Sequence, residues 1–460
     1  MKILLVVPPN EYISKDYLPP LGVGYVAGML EKNNYDVKII DTPVLGWGVD
    51  ETVRVIKREN PDFLGITCVS NNRFNAIKIV KSAQDLDCIK ILGGVHFSST
   101  DVDALSNIPA DVVVRNEGEQ TMLEIVKGKP FKNILGITYR QKNKIVRTPD
   151  RPFIDINDLP RPSRNLFPIS KYQARLEGEY KSRCLSIMTS RGCPYQCVFC
   201  ANKAFWKRVF RLRNSSDVVD EIEDVIITYG IKAFDFWDDT FSVNHKHVEL
   251  ICNEIIKREL DIKWYARMRV NTVNYQMLKN MKKAGCVSVS FGVESGSPRV
   301  LKAINKNITL NQVRKATKLS SKLGFNIKLF FMHNLPTETI SDVKMTIKFM
   351  NELLKYRKVR VMPAITEIYP STDLESIAKK QGIIPSDFSW NKPYYSFRNL
   401  KFGLDPLIPH FEQINFEKLF PLLKSYQEKP LKKIIRTLKN IRTPSDVLFY
   451  ANRSIKKLKF

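Results

Sequence analysis

The sequence predicts an α/β chain in three parts: an N-terminal doubly wound parallel sheet, a partial (β/α)6 barrel and a basic helical tail. Three observations carry this. Short apolar runs alternate with segments of helical period from residue 3 onward. The alternation breaks once, at the proline-bearing stretch TPDRPFIDINDLPRPSR (148–164), and then resumes to about residue 370. At 460 residues the chain exceeds one ordinary core, so two or three domains are expected. The expected units are a first domain over 1–145, a linker over 146–182, a core over 183–400 and an extension over 401–460.

In the first domain the strand runs are ILLVV (3–7), VKII (37–40), FLGIT (63–67), IKILGG (89–94) and DVVV (111–114). Helical stretches near 21–33, 50–59, 74–84 and 119–127 separate them, which argues a parallel sheet. Ligands of such sheets sit at the carboxyl ends of the strands. The polar and glycine-rich punctuation falls there: Pro8–Pro9, the Thr67–Asn71 segment with Thr67 and Ser70, Gly93–Gly94, and Glu117-Gly118-Glu119. The start, MKILLVVPPN, reads as a buried strand, because prolines stand where a signal peptide would carry its small cleavage residues. In the core, CLSIMTS, AFDFWDD, KWYARMR, SVSFGVE, IKLFFMH and VRVMPAITEIY give about six strands with helices between them, enough for an open barrel.

Hydrophobic content of 43% and charged content of 26% are those of a soluble globular protein. No apolar run reaches the roughly eighteen residues of a spanning helix. The net charge of +26 suggests an acidic partner: nucleic acid, anionic lipid or a phosphorylated substrate. The charge concentrates in the tail. Residues 430–442 and 446–460 each set an apolar helical stripe against lysines and arginines. Such helices either lie on an anionic membrane or pack on the barrel with their lysines in solvent. The first reading implies a lipid-linked substrate, and a cytoplasmic protein that is peripheral at the inner face of the membrane.

Eight cysteines are scattered, apart from one group in SRGCPYQCVFC (190–200). Cys193, Cys197 and Cys200 have the spacing Cys-x-x-x-Cys-x-x-Cys, at which thiolates on one loop converge on three irons of a cubane cluster. The nearest further cysteine is Cys184, so one iron keeps an open position, as catalytic metal sites do.

This segment resembles the signature loop of the radical S-adenosylmethionine (SAM) superfamily. The resemblance implies a [4Fe–4S] cluster whose open iron chelates SAM, and reductive cleavage of SAM to a 5′-deoxyadenosyl radical. Phe199 matches the aromatic position that lies against the adenine. FDFWDDTF (234–241) resembles the end of the family's second strand, with Asp238 and Asp239 as candidates for the methionine amino group. ARMRVN (266–271) and FGVESGS (291–297) resemble the third and fourth strands. They imply Arg269 at the SAM carboxylate and Glu294 at its ribose or methionine end. One departure stands out: the family's glycine-rich turn after the fifth strand reads FMHNLPTET (331–339), with Asn334 and Thr337 where glycines are common. Asn tolerates positive φ, so the turn is expected to survive. His333 in this turn is expected either to face the cavity or to serve as a hydrogen-bonded wall residue.

Residues 19–41, 63–70, 91–96 and 113–121 resemble the cobalamin-binding domain that precedes the radical SAM core in one large subfamily, and YPST (369–372) resembles its last landmark. The histidine that usually meets cobalt is missing. His96 lies on a different strand end and reads as a loop histidine, which implies a corrinoid without a histidine lower ligand. Corrinoid beside a radical generator implies methyl transfer to an unactivated carbon or phosphorus of a small or lipid-linked substrate. It also implies an external one-electron reductant of flavodoxin or ferredoxin type. Two alternatives stay open: a cyclase or rearrangement enzyme built from the same parts, or a domain that has lost cobalamin and shields the core. An RNA-modifying methylthiotransferase fits less well, because the N-terminal domain has only Cys68 and Cys88 and the tail is helical, so nucleic acid is the less favoured partner.

Overall fold

The structure, a computed structural model, describes residues 1–10, 17–176 and 179–425. Its first sheet contains β1 (Lys2–Val7), β2 (Asp36–Asp41), β3 (Phe63–Thr67), β4 (Ile89–Gly93) and β5 (Val112–Val114), parallel in the order β2-β1-β3-β4-β5. The strands are buried on both faces, Ile3, Leu5 and Ile91 against one helical layer and Leu4, Leu64 and Leu92 against the other. The chain runs from β1 to β2 on one side and then crosses to β3 on the other. The carboxyl ends of β1 and β3 therefore flank a topological switch point.

The sheet continues past the expected set. An antiparallel hairpin, β6 (Ile137–Gln141) and β7 (Lys144–Arg147), pairs onto β5. Its turn uses Lys142 at φ 51°, and its outer strand, KIVR, is partly exposed with a cation at each end, so it carries little apolar signal. The first sheet thus ends at Arg147 rather than at 145.

The second sheet holds β8 (Arg175–Leu176) and β9 (Glu179–Ile187). A two-residue ladder, β10 (Ser190–Arg191) with β11 (Arg211–Leu212), follows as a separate pair. The second sheet then continues with β12 (Ala233–Phe236), β13 (Lys263–Met268), β14 (Cys286–Glu294), β15 (Asn326–His333) and β16 (Val359–Ile365). The order is β16-β15-β14-β13-β12-β9-β8, parallel throughout except for β8. The six parallel strands are the expected half-barrel, with β8 and the start of β9 inside the expected linker. The connecting helices begin on side-chain caps: Asn214, Asn244, Asn274, Thr309 and Thr339 each accept a hydrogen bond from a first-turn amide. Phe234, Trp264, Phe291 and Leu329 turn one face of the sheet into those helices.

Beyond β16 the chain returns to the first domain. Arg73, fully buried, donates from Nε to the Trp390 carbonyl at 3.0 Å and from Nη2 to the Leu407 carbonyl at 2.5 Å. Asp103 accepts from Ser389 and Asn391. The two domains are thereby clasped. Among the described residues no helix is long and apolar enough to cross a membrane. The basic stripes at 430–442 and 446–460 lie outside the described residues.

Candidate active site between the two sheets

The cysteine loop leaves the end of β10 through Gly192, at φ 89°, where an added Cβ would lie 1.9 Å from the Val209 carbonyl oxygen. Only glycine fits. Val198 pins the loop from both sides, its amide donating to Ile304 O at 3.2 Å and its carbonyl accepting from Leu374 N at 2.9 Å. The three thiols are half-buried, and each has a polar neighbour. Cys193 Sγ lies 3.6 Å from Thr240 Oγ1, Cys197 Sγ 3.6 Å from Arg269 Nη1, and Cys200 Sγ 3.5 Å from Asn202 Nδ2. Burial pushes the Cys200 thiol up to about 11 and raises that of Cys193, a cost that bonding to a metal offsets. No three His, Cys, Asp or Glu side chains among the described residues gather as ligands of a single ion. A cubane takes one thiolate per iron, so its ligands need not converge on one point. Cys184 lies on β9, buried against Leu18 and Tyr265.

Around the loop the second sheet supplies charged groups. The Arg269 guanidinium stacks 3.9 Å over the Tyr195 ring, donates to Asn271 Oδ1 at 3.0 Å, and keeps Nη2 buried with no partner. A buried donor of that kind is costly unless a ligand takes it, and a carboxylate is its natural acceptor. Glu294, at φ 68°, turns back over Gly292 to pair with Lys306 Nζ at 2.6 Å. A Cβ on Gly292 would strike both groups, at 2.4 and 2.8 Å. Lys306 Nζ in turn lies 5.9 Å from the Phe199 ring. Phe199, Glu294 and Lys306 are thus one group, and Lys306 was missed because no local motif marks it. The adjacent aspartates diverge. Asp238 is buried and accepts from Thr189 N at 3.2 Å, Thr189 Oγ1 at 2.8 Å and Ser190 Oγ, which ties the top of β12 to the start of the loop. Asp239 is the more exposed of the two, with Asn202 and the Gly192 backbone as its hydrogen-bond neighbours.

A cavity of about 430 Å³ opens at the switch point of the first sheet, where the second sheet meets it. Thr67, Gly93, Gly94, Glu117, Gly118 and Glu119 line it. Gly94 is at φ 86°, and a Cβ there would lie 2.6 Å from the Cys68 carbonyl oxygen, so this wall is held flat and close. Val69 and Val95 stand exposed beside it. The opposite wall was not foreseen: Met188, Arg191, Phe205 and Trp206 come from the segments flanking the cysteine loop, and Trp237 from the end of β12. Glu117 and Glu119 sit at the junction, and Arg191 donates to both, at 2.6 and 2.7 Å. Arg211 adds a bond to Glu117 at 2.8 Å. This buried bridge ties the residue next to Gly192 to the wall of the first sheet.

Two expectations need correction, those for Ser70 and His333. Ser70 is not at the cavity; it is buried behind the strand ends, 3.0 Å from His96 Nδ1. His96 is fully buried beside Phe97 and Trp390 in the short helix Gly94–Ser99, and it does not line the cavity. His333 does not face the barrel interior. It continues the Ile327, Leu329, Phe331 face of β15, fully buried, and burial lowers its pKa to about 4. The turn after it keeps its shape without glycine. Asn334 and Thr337 take φ 62° and 67°, and the Asn334 side chain clamps Ile414 through both backbone groups, at 2.6 and 3.0 Å.

The residues fit the implied groups: three half-buried thiols with one open side, an unpartnered buried guanidinium, and a cavity with a glycine wall. In comparisons with known proteins, residues 187–350 match the Radical SAM superfamily and residues 14–126 match the B12 binding domain. An uncharacterized methyltransferase of Pyrococcus horikoshii is 36% identical over 441 residues, 93% of this chain and 92% of its own length. The anaerobic magnesium-protoporphyrin IX monomethyl ester cyclase of Rubrivivax gelatinosus is 30% identical over 73% of this chain and 62% of its own length. Among solved structures, the cobalamin-dependent SAM radical enzyme OxsB, with aqua-cobalamin and SAM bound, shares the fold. Its TM-score is 0.76 at 20% identity, and the match covers 99% of this chain and 71% of that one. The chain therefore belongs to the radical SAM superfamily, as an enzyme that carries a B12 binding domain ahead of its radical SAM core.

Proposed function

We propose that the chain is a cobalamin-dependent methyltransferase that transfers a methyl group to an unactivated carbon of a small or lipid-linked substrate. The observation that carries this reading is the cavity whose one wall is the strand ends of the first sheet and whose other wall is Met188, Arg191 and Trp206, next to the cysteine loop. When bound, the cluster with SAM supplies a carbon-centred radical and the corrinoid supplies a transferable methyl group. Cys193, Cys197 and Cys200 would hold three irons. Arg269 would offer its unpartnered Nη2 to the SAM carboxylate, Asp239 would accept from its amino group, and Glu294 with Lys306 would brace the ribose or methionine end beside Phe199. Arg191, locked to Glu117 and Glu119, would fix the spacing between loop and corrin wall. Phe205, Trp206 and Trp237 would keep water from the space between them.

An external one-electron donor of flavodoxin or ferredoxin type completes this reading, since the sequence holds no second grouped set of cysteines. The basic stripes at 430–442 and 446–460 support a peripheral contact with anionic membrane. Sedimentation with anionic vesicles, using the full chain and one cut near residue 428, tests that contact: salt-sensitive binding by the full chain alone supports it.

Ring closure without methyl transfer is the second reading, favoured by the cyclase relative. The test is anaerobic incubation of the reconstituted protein with SAM labelled in its methyl group and a deproteinised cell extract. Methyl transfer gives a labelled metabolite with both 5′-deoxyadenosine and S-adenosylhomocysteine. Ring closure gives 5′-deoxyadenosine alone. A protein that retains no corrinoid and labels nothing overturns the proposal.

A further inference from the structure

The segment that clasps the two domains carries an exposed aromatic tip. Its two roots are the Trp390 and Leu407 carbonyls, which hold the buried Arg73 of the first domain. Between them the chain runs out through Tyr395 to the short helix Phe397–Lys401 and returns. Phe397 is 79% exposed and Tyr395 49%, and their rings meet at 4.9 Å. Single apolar residues are ordinary on a surface, but adjoining aromatic rings form a patch.

The backbone holds these rings outward. Ser396 N donates to the Pro406 carbonyl at 2.8 Å, Leu404 N to the Asn399 carbonyl at 3.0 Å, and Asn399 Nδ2 to the Ile408 carbonyl at 2.9 Å. The Ser396 hydroxyl caps the helix, accepting from Asn399 N at 3.1 Å. The space beneath is filled by other rings, with Phe402 meeting Phe416 and Phe420 at 5.3 and 5.0 Å.

Cations flank the patch. Lys401 stands one helical turn from Phe397, its side chain 70% exposed. Arg398 lies 5.7 and 5.6 Å from the Phe402 and Phe416 rings and bonds to Glu412 and Glu417 at 2.8 and 2.9 Å. Glu417 belongs to the helix Phe416–Ser425, so the described chain ends beside this face. Residues 426–460, which follow, carry ten lysines and arginines, with Glu428 and Asp446 as their acidic residues. A second copy of a chain with net charge +26 is repelled from such a face, and so are the basic residues 426–460. An anionic bilayer suits both: its headgroups take the cations, and the rings enter the boundary beneath them.

We propose that the tip at 395–401 docks on an anionic lipid bilayer, with Phe397 and Tyr395 entering the headgroup boundary and Lys401 meeting lipid phosphate. The junction of the two domains then lies against the membrane. This rests on the peripheral contact proposed above and adds to it a part of the folded chain; it does not depend on the reaction. The test is sedimentation of the full reconstituted chain with vesicles of phosphatidylcholine, with and without phosphatidylglycerol. The unaltered chain should sediment with the anionic vesicles alone. Tyr395→Ser with Phe397→Ser should weaken that binding at least tenfold, and Phe397→Trp should retain it. Lys401→Gln should weaken it by a smaller factor, which vanishes at high salt. Ile227→Ser, at an 82% exposed side chain of another helix, should bind as the unaltered chain does.

The inference is overturned if the unaltered chain ignores anionic vesicles or if Ile227→Ser weakens binding as much as the double Ser variant. It is equally overturned if the double variant binds as the unaltered chain does, which leaves the contact to residues 426–460. A double variant that keeps vesicle binding but changes its oligomeric state in sedimentation velocity marks a protein contact instead and overturns it too. Iron and corrinoid content measured on the same samples report separately on the proposed function, so its failure is distinguishable from failure of the lipid contact.

Discussion

The two sheets end at a common space, and their ends are made in opposite ways. At the ends of β3 and β4 the first sheet presents backbone and small apolar groups, Gly93, Gly94, Val69 and Val95, with Glu117 and Glu119 at the junction engaged by Arg191. The second presents sulfur and charge: three thiols, Arg269, and Glu294 with Lys306. A broad, flat ring is received by a surface cleared of side chains, whereas a small zwitterion is received by donors and acceptors at fixed points. The comparison teaches where each wall is vulnerable. Added volume should damage the first wall, and lost polar groups should damage the second.

The largest effect is expected where both demands meet. Gly192→Ala places a Cβ against the Val209 carbonyl in a left-handed turn. Iron content after anaerobic reconstitution should fall from about four per chain to near zero, with corrinoid retention kept. Gly94→Ala should do the reverse: corrinoid affinity at least tenfold weaker, because the added Cβ meets Cys68 backbone, with iron content unchanged. Arg191→Met strikes the bridge between the walls. It leaves Glu117 and Glu119 buried without their main partner, and stability measured in denaturant should drop by about 3 kcal/mol. Adding Glu117→Gln and Glu119→Gln should recover part of the loss.

The smallest effect concerns the bracing of the turn after β15. Burial would raise the Asp342 carboxyl, but bonds from Ser297, Thr339 and Arg299 outweigh it and hold the pKa at about 2. The folded pKa lies below the unfolded one, so this contribution is complete above about pH 4 and lost as pH falls through about 2. Asp342→Asn should cost about 2 kcal/mol at pH 7, and the gap to the unaltered chain should close between pH 4 and pH 2.

Much of the fold could be read because its signals are local. Strand period, the cysteine spacing and the punctuation at strand ends each span a few residues, and they locate both walls. The pairings that complete the site span long separations. Arg191 meets Glu117 across 74 positions, and Lys306 meets Glu294 from a stretch with no motif. Asp238 and Ser70 were chosen for chemistry that the fold spends internally, on Thr189 and on His96. The hairpin of β6 and β7 was missed because an exposed, charged edge carries no apolar alternation. His333 is a different case. The apolar alternation Ile327, Leu329, Phe331 already assigns it to the helix side, so its direction was legible in the sequence.

The central claim is that one site between the two sheets holds a cluster and a corrinoid on separate walls. Its most direct test is the variant with Cys193, Cys197 and Cys200 all changed to Ala, purified anaerobically after supply of iron, sulfide and hydroxocobalamin. The predicted result is loss of iron and of all 5′-deoxyadenosine formation, with about one corrinoid retained per chain. A triple variant that still cleaves SAM to 5′-deoxyadenosine, or that loses corrinoid together with iron, contradicts the account.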